Sequence, residues 1–372
     1  MKPIKRNILL NPGPATTSDE VKWALVVPDI CPREKEFCDL MDGIKQDLPR
    51  VVNGGDDYTA VLFASSGTGG VEAAITSAVP KNGKLLIVEN GAYGTRMKQI
   101  AVCYQIPFTA YTLPYGDFPD VNQIKRMLEE DIGITHIAIV DHETTTGMRN
   151  PVAEVCKLAQ SKQIEVIVDC MSSYAGLPVD LRVWQAEYII SSSNKCIQGM
   201  AGLSFVIFKK NLLGKIKNNA RSFYFDLYAQ HEGFHQTGQM QFTPPVQVVY
   251  ALRKALDLFF EETMEGRIRR YRNNYEILYK GLENLGFEFL LPDQYQSGIL
   301  LAIKEPCNPE YNFTTMHDYF YERGFTIYPG KGAKEATFRL SVLGDLYAED
   351  IRLFLLQMKN YLDVSGIQKV AY

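Results

Sequence analysis

Three short stretches carry residue types that can do chemistry. "SSSNKCIQG" sets Lys195 in a polar knot of Ser191, Ser192, Ser193 and Asn194, with apolar chain following. Lysine is rarely buried without a partner, so this side chain either reaches water or is held for a purpose. Stripped of water, an amine gives up its proton near neutrality and becomes a nucleophile toward a carbonyl. "IEVIVDC" places Asp169 at the end of an apolar run, 26 residues before Lys195. Its carboxylate either caps a helix or pairs with a buried cation. "FASSGTGGVEAAI" puts Ser66, Gly67 and Thr68 at a strand-to-helix turn. The amides and hydroxyls there suit a phosphate, or they make an ordinary serine-capped turn. GxGxxG and GK[ST] are both absent, so this is neither a dinucleotide fingerprint nor a Walker A loop.

Each stretch is ordinary alone. Together, a phosphate cradle, an acid for a ring nitrogen and a lysine for an aldehyde are the three handles of pyridoxal 5′-phosphate. Tyr93 in "ENGAYGTRM" follows another apolar run, where its ring can stack on a pyridine face or pack in the core. "VDHETTTGMRNP" offers Thr144 and Thr146 as donors to a ring hydroxyl, or as parts of a threonine-rich turn.

These residues need a frame that gathers them at one edge. From about residue 60 to 210, strand-like runs ("AVLFASS", "KLLIVEN", "ITHIAIVDHE", "IEVIVDC", "EYIISSS", "GLSFVIF") alternate with helical patterns such as "PVAEVCKLAQSKQ". Runs that are apolar throughout, alternating with helices, predict a mainly parallel sheet covered on both faces, an α/β fold. Ligands bind such sheets at the carboxyl ends of their strands. A long helical pattern starts near Pro245 and breaks around Met264 to Gly266. The rest ("FEFLLP", "GILLAIK", "TTMHDYFYERG", "FTIYPG", "ATFRLSVLG") reads as a smaller α+β unit. The expected domains are 16–260 (large) and 1–15 with 261–372 (small).

Composition narrows the class further. The 372 residues are 46% hydrophobic and 22% charged, with net charge −4 and a pI near 5.8. No basic run interleaves with aromatics, which excludes a nucleic-acid surface. The apolar run before Asn11 is three residues long, too short for a signal core or a membrane span, and no other stretch approaches a span. The seven cysteines are odd in number and form no CxxC pair. They support neither a disulfide framework nor a metal site, and a reducing, cytoplasmic setting is expected.

The motifs "LLNPGPATTS", "SSGTGGVEAAI", "NGAYGTRM", "HETTTGMRNP", "VDCMSSYAGLPVD", "SSSNKCIQG", "FYFDLYAQ", "FTPP" and "FTIYPGKG…FRLSVLGDLYAEDI" run in order from end to end. In them the chain resembles the class V, fold-type I aminotransferases, and among these the 2-aminoethylphosphonate–pyruvate branch. The resemblance implies a seven-stranded large-domain sheet and a homodimer with shared active sites. It implies an aldehyde-bound Lys195 that shuttles a proton, and Asp169 on the ring nitrogen. Ser66, Gly67, Thr68 and Ser193 would hold the phosphate, with Thr243 of "QFTPP" reaching the neighbouring subunit's phosphate. Arg339 of "ATFRLSV" would bind the carboxylate of pyruvate or alanine and also the phosphonate; Lys331 either assists or is a solvated loop lysine. The implied reaction moves the amino group of 2-aminoethylphosphonate to pyruvate, giving phosphonoacetaldehyde and alanine, reversibly.

Where some relatives carry an acidic, Trp-containing segment, this chain has "PDICPREKEFCDL". Arg33 and Lys35 there either form a solvated helix start or add charge at the entrance. His231 and His235 receive no role. Three alternatives stay open: an alanine- or serine–glyoxylate aminotransferase; a desulfurase, for which Cys307 is the one cysteine in the last third; and a non-catalytic α/β binding protein.

Overall fold

The computed structural model describes residues 4, 6–330, 332, 335–368 and 370–372, so Lys331 lies outside the described residues. Seven strands form the central sheet: β1 Tyr58–Phe63, β2 Lys84–Glu89, β3 Phe108–Thr112, β4 Ile134–Val140, β5 Glu165–Asp169, β6 Tyr188–Ser192 and β7 Ser204–Lys209. Their spatial order is β1-β7-β6-β5-β4-β2-β3. β7 is antiparallel to both its neighbours and every other pairing is parallel. This is the mainly parallel α/β sheet that the apolar runs predict. The strand those runs miss is β3. It lies on the sheet edge and is only partly buried along its length, so its sequence, "FTAYT", lacks the continuous apolar signal.

The sheet is apolar on both faces because strand residues alternate between two cores. Leu62, Leu86, Ile137, Val168 and Ile189 pack into one cluster, and their neighbours Val61, Leu85, Ala138, Ile167 and Ile190 into the other. Each fully buried leucine, isoleucine or valine here contributes about 1.5–3 kcal/mol. A one-residue slip of any central strand would exchange its two faces.

The long helical pattern after Pro245 is two helices, Val246–Glu262 and Met264–Asn284. They part at Thr263, one residue upstream of the expected break. Thr263 sits at φ 67°, and its hydroxyl accepts from the Gly266 amide at 3.2 Å, capping the second helix. Beyond it a three-stranded antiparallel sheet has β10 Thr337–Ser341 between β8 Leu300–Lys304 and β9 Tyr328–Pro329. "FEFLLP" joins it only through an isolated bridge from Phe289 to Ile303. Ile8–Leu9 pairs in parallel with Phe325–Thr326, bringing the N-terminal segment back against the C-terminal part. No helix among the described residues is long and apolar enough to cross a membrane.

Candidate active site

A cavity of about 470 Å³ opens at the carboxyl ends of β4, β5 and β6, and seven of the sequence-predicted residues line it: Ser66, Gly67, Thr68, Tyr93, Thr144, Asp169 and Lys195. Ser66 follows β1 as the N-cap of the helix Gly67–Ala78 and makes no capping hydrogen bond with its side chain. Its hydroxyl stands beside the first-turn amides, which carry the partial positive charge of the helix N-terminus. A Cβ at Gly67 would stand 2.3 Å from Met171 Sδ, so a larger residue at the helix start would displace the Met171 side chain.

Lys195 lies on the turn after β6, and that turn is held from two sides. Arg267 of the helix Met264–Asn284 donates to the Cys196 carbonyl at 2.7 Å, and the Ala15 amide donates to the Asn194 carbonyl at 3.0 Å. The lysine Nζ donates to the Pro12 carbonyl at 2.6 Å. A Cβ on Gly13 would lie 2.2 Å from that nitrogen, and Gly13 has φ +127°, so the N-terminal strap needs glycine there on both counts. Burial pulls the amine down to about 8 from its ordinary 10.5. Asp169, the last residue of β5, is 3% exposed and accepts from the Met171 amide at 2.9 Å. Burial pushes its carboxyl up to about 6.

Three polar residues of the cavity were not singled out from the sequence. Arg96 donates to Thr68 Oγ1 at 3.2 Å, and its guanidinium carbon lies 5.0 Å from the centre of the Tyr93 ring. Its spacing of three from Tyr93, on one helix face, was the available signal. His142 lines the cavity, with Nδ1 2.9 Å from Ser172 Oγ; burial takes the ring down to about 3, so it is neutral at physiological pH. Ser172 lines the same wall. Neither sits in a pattern that separates it from ordinary core polar residues.

The remaining predicted residues stand elsewhere. Ser193 is fully buried and does not line the cavity; its hydroxyl donates to the Met200 and Leu203 carbonyls. Ser192 and Asn194, one residue to either side, line it instead, and the Ser192 hydroxyl donates to Asn194 Oδ1 at 2.8 Å. The strand ends at Ser192, and in the turn that follows Ser193 lies off the cavity wall, where its hydroxyl is taken up by backbone carbonyls. Thr146 is part of the turn after β4: its amide donates to the Glu143 carbonyl at 3.2 Å, and it too is absent from the cavity lining.

Arg339, in the middle strand β10, is 6% exposed and adjoins the cavity wall through Tyr93 and Thr144. Its Nε donates to the Pro329 carbonyl at 3.1 Å and its Nη1 to the Thr144 carbonyl at 3.2 Å. Thr243 lies in a separate groove of about 320 Å³ that includes Arg33 and Gln241. Lys35 is exposed and pairs with Asp39 at 2.6 Å, the solvated helix start of the two readings. No group of acidic, cysteine and histidine side chains among the described residues is arranged to hold a metal ion.

Comparison with known proteins places this geometry. The family model described as Aminotransferase class-V matches residues 23–310. A 2-aminoethylphosphonate–pyruvate transaminase of Klebsiella pneumoniae subsp. pneumoniae is 41% identical over 95% of this chain and 97% of its own length. One from Lysinibacillus sphaericus is 39% identical over 96% and 98%. Among solved structures, ureidoglycine–glyoxylate aminotransferase of Bacillus subtilis superposes with a TM-score of 0.90 at 20% identity, covering 100% of this chain and 96% of that one. Alanine–glyoxylate aminotransferase of Nostoc sp. gives 0.89 at 24%, covering 97% and 96%. The fold is shared throughout, the family model spans more than half the sequence, and the chain belongs to the class V aminotransferases.

Proposed function

We propose that this protein is a pyridoxal 5′-phosphate enzyme that transfers the amino group of 2-aminoethylphosphonate to pyruvate, giving phosphonoacetaldehyde and alanine, reversibly. The carrying observation is one cavity holding a buried, readily deprotonated lysine, a buried carboxylate and an uncapped helix N-terminus. It occurs in a chain about 40% identical along nearly its whole length to transaminases named for this reaction. The donor set fits the cofactor: Ser66, Gly67 and Thr68 would hold the phosphate, with the charge of Arg96 beside Thr68. Asp169 would face the ring nitrogen, Tyr93 a ring face and Thr144 the ring hydroxyl. Ser192 and Asn194 replace Ser193 as the polar residues of the knot on the cavity side.

When bound, pyridoxal 5′-phosphate supplies an aldehyde that takes up the amino group and a ring that spreads the electron pair left by C–H cleavage. Lys195 would hold the aldehyde carbon at rest. Its Nζ, when free, would take the proton from C2, the amine-bearing carbon of 2-aminoethylphosphonate, and redeliver it. Its depressed pKa lets it accept that proton near neutrality. Asp169, ionised, would keep a proton on the ring nitrogen. Arg339 would bind the phosphonate in one half-reaction and the carboxylate of pyruvate in the other.

Thr243 stands outside its own chain's cavity, which supports a role in a neighbouring subunit's site and hence a homodimer. The division into 16–260, and 1–15 with 261–372, is supported by the seven-stranded sheet falling in the first and the three-stranded sheet in the second. Seven unpaired cysteines support a reducing, cytoplasmic compartment. The test is alanine formation from 2-aminoethylphosphonate and pyruvate, expected in wild type and lost in Lys195→Ala. Turnover of alanine or serine with glyoxylate, and none of the phosphonate, would reject the reading.

A further inference from the structure

We propose that Glu143 is a positioning residue of this site, clamping the first turn of the Tyr93 helix to the Thr144–Thr146 turn and so holding Tyr93 and Arg339 in one fixed relation. The proposal rests on the reading above that Tyr93 and Arg339 face the ring and the substrate anion.

The helix Ala92–Cys103 begins at Gly91, which as N-cap offers no side chain. Its first amides would be left without partners, yet they are satisfied from another element. The Ala92 amide donates to Thr145 Oγ1 at 3.1 Å and the Tyr93 amide to Glu143 Oε2 at 3.2 Å. The other carboxylate oxygen accepts from the Thr145 amide at 3.0 Å and from its hydroxyl at 2.5 Å. Glu143 and Thr145 thus act together as a cap supplied across 50 residues of sequence. The approach is tight: a Cβ on Gly91 would stand 2.2 Å from Glu143 Cγ and Cδ.

The same residues close a ring of contacts. The Tyr93 side chain lies beside Arg339, Arg339 Nη1 donates to the Thr144 carbonyl, and Thr144 lies between Glu143 and Thr145. Glu143 is fully buried and forms no ion pair among the described residues. A buried carboxylate held only by N–H and O–H donors is costly to keep. Here every bond it accepts fixes either the ring-bearing helix or the turn that supports the arginine.

The test uses the full chain with pyridoxal 5′-phosphate present and reads the calorimetric Kd of methylphosphonate, the Kd of the cofactor from protein fluorescence, and the thermal midpoint. Glu143→Gln keeps an acceptor for Thr145 but turns an NH2 toward the Tyr93 amide. It should weaken methylphosphonate about 10-fold, the loss expected for one hydrogen bond to a charged group, and weaken the cofactor as well. Tyr93→Phe removes the hydroxyl from beside Arg339, so in that background Glu143→Gln should change methylphosphonate binding less than about 2-fold. An equal factor in both backgrounds, or none in either, overturns the proposal, because a merely structural role lowers the midpoint without this coupling. If Glu143→Gln does not fold, Thr145→Val removes the Ala92 half of the cap and must show the same coupling. Wild type that binds methylphosphonate with this coupling but does not turn over 2-aminoethylphosphonate would leave Glu143's role standing and refute the functional reading alone.

Discussion

Asp169→Asn should make the cofactor-free protein more stable at neutral pH. Burial raises this carboxyl from its ordinary 3.8 to about 6, against the opposing hydrogen bond from the Met171 amide. A raised folded-state pKa means the folded chain binds more protons than the unfolded chain between pH 3.8 and 6. Stability is therefore lost as pH rises through that window, and the full penalty is present above pH 6. A shift of about two units corresponds to about 3 kcal/mol, undiminished by solvent because the group is fully buried. Asparagine carries no charge and keeps an oxygen for the Met171 amide. Urea unfolding of both cofactor-free proteins at pH 8, 6 and 4 should show the variant ahead by up to about 3 kcal/mol at pH 8. The gap should close toward pH 4. Adding pyridoxal 5′-phosphate should shrink or reverse it, since a protonated ring nitrogen gives the carboxylate its partner. A variant no more stable than wild type at pH 8, or a gap that ignores pH, would refute the claim that desolvation governs this residue.

Two further outcomes follow from Lys195 and its surroundings. The rate of cofactor capture by the cofactor-free protein, followed by absorbance, should rise as pH passes through about 8 and then level; a rise continuing toward the ordinary lysine value would show an amine that is not desolvated. Gly13→Ala pushes a methyl group into Lys195 Nζ and strains a positive-φ position, so capture should slow at least about 10-fold with the far-ultraviolet dichroism unchanged. Wild-type capture by this variant would show that the strap does not press on the lysine.

The parts of the site legible in the sequence were those tied to strand ends. Ser66–Thr68, Asp169 and Lys195 each follow a continuous apolar run, and runs buried on both faces are visible without any partner. Which residue of a polar cluster turns inward was not legible. Ser192, Ser193 and Asn194 look alike in a string, and only the turn after β6 decides that the outer two face the cavity. Contacts between distant segments were hidden for the same reason. The Pro12 carbonyl meets Lys195 across 183 residues, and Glu143 caps a helix whose own N-cap is a glycine. A cap supplied from another strand leaves no local signature; it shows in the sequence only as a glycine where serine or aspartate would be expected.

The charges around the cavity explain how one site can serve two different anions. Lys195, Arg96 and Arg339 bring three cationic side chains close together, and burial makes the two nearby carboxylates, Asp169 and Glu143, harder to ionise. Neither arginine forms an ion pair among the described residues: Arg96 donates to a threonine hydroxyl and Arg339 to two backbone carbonyls. An arginine already tied to a carboxylate would have to break that pair to receive a substrate. One steered by neutral carbonyls keeps its charge available while its fork is held in place. A phosphonate and a carboxylate differ in charge and shape, but either can meet such a guanidinium without displacing a protein anion. Under the proposed function, this positive excess would attract the cofactor's phosphate at one end and the substrate's acid group at the other.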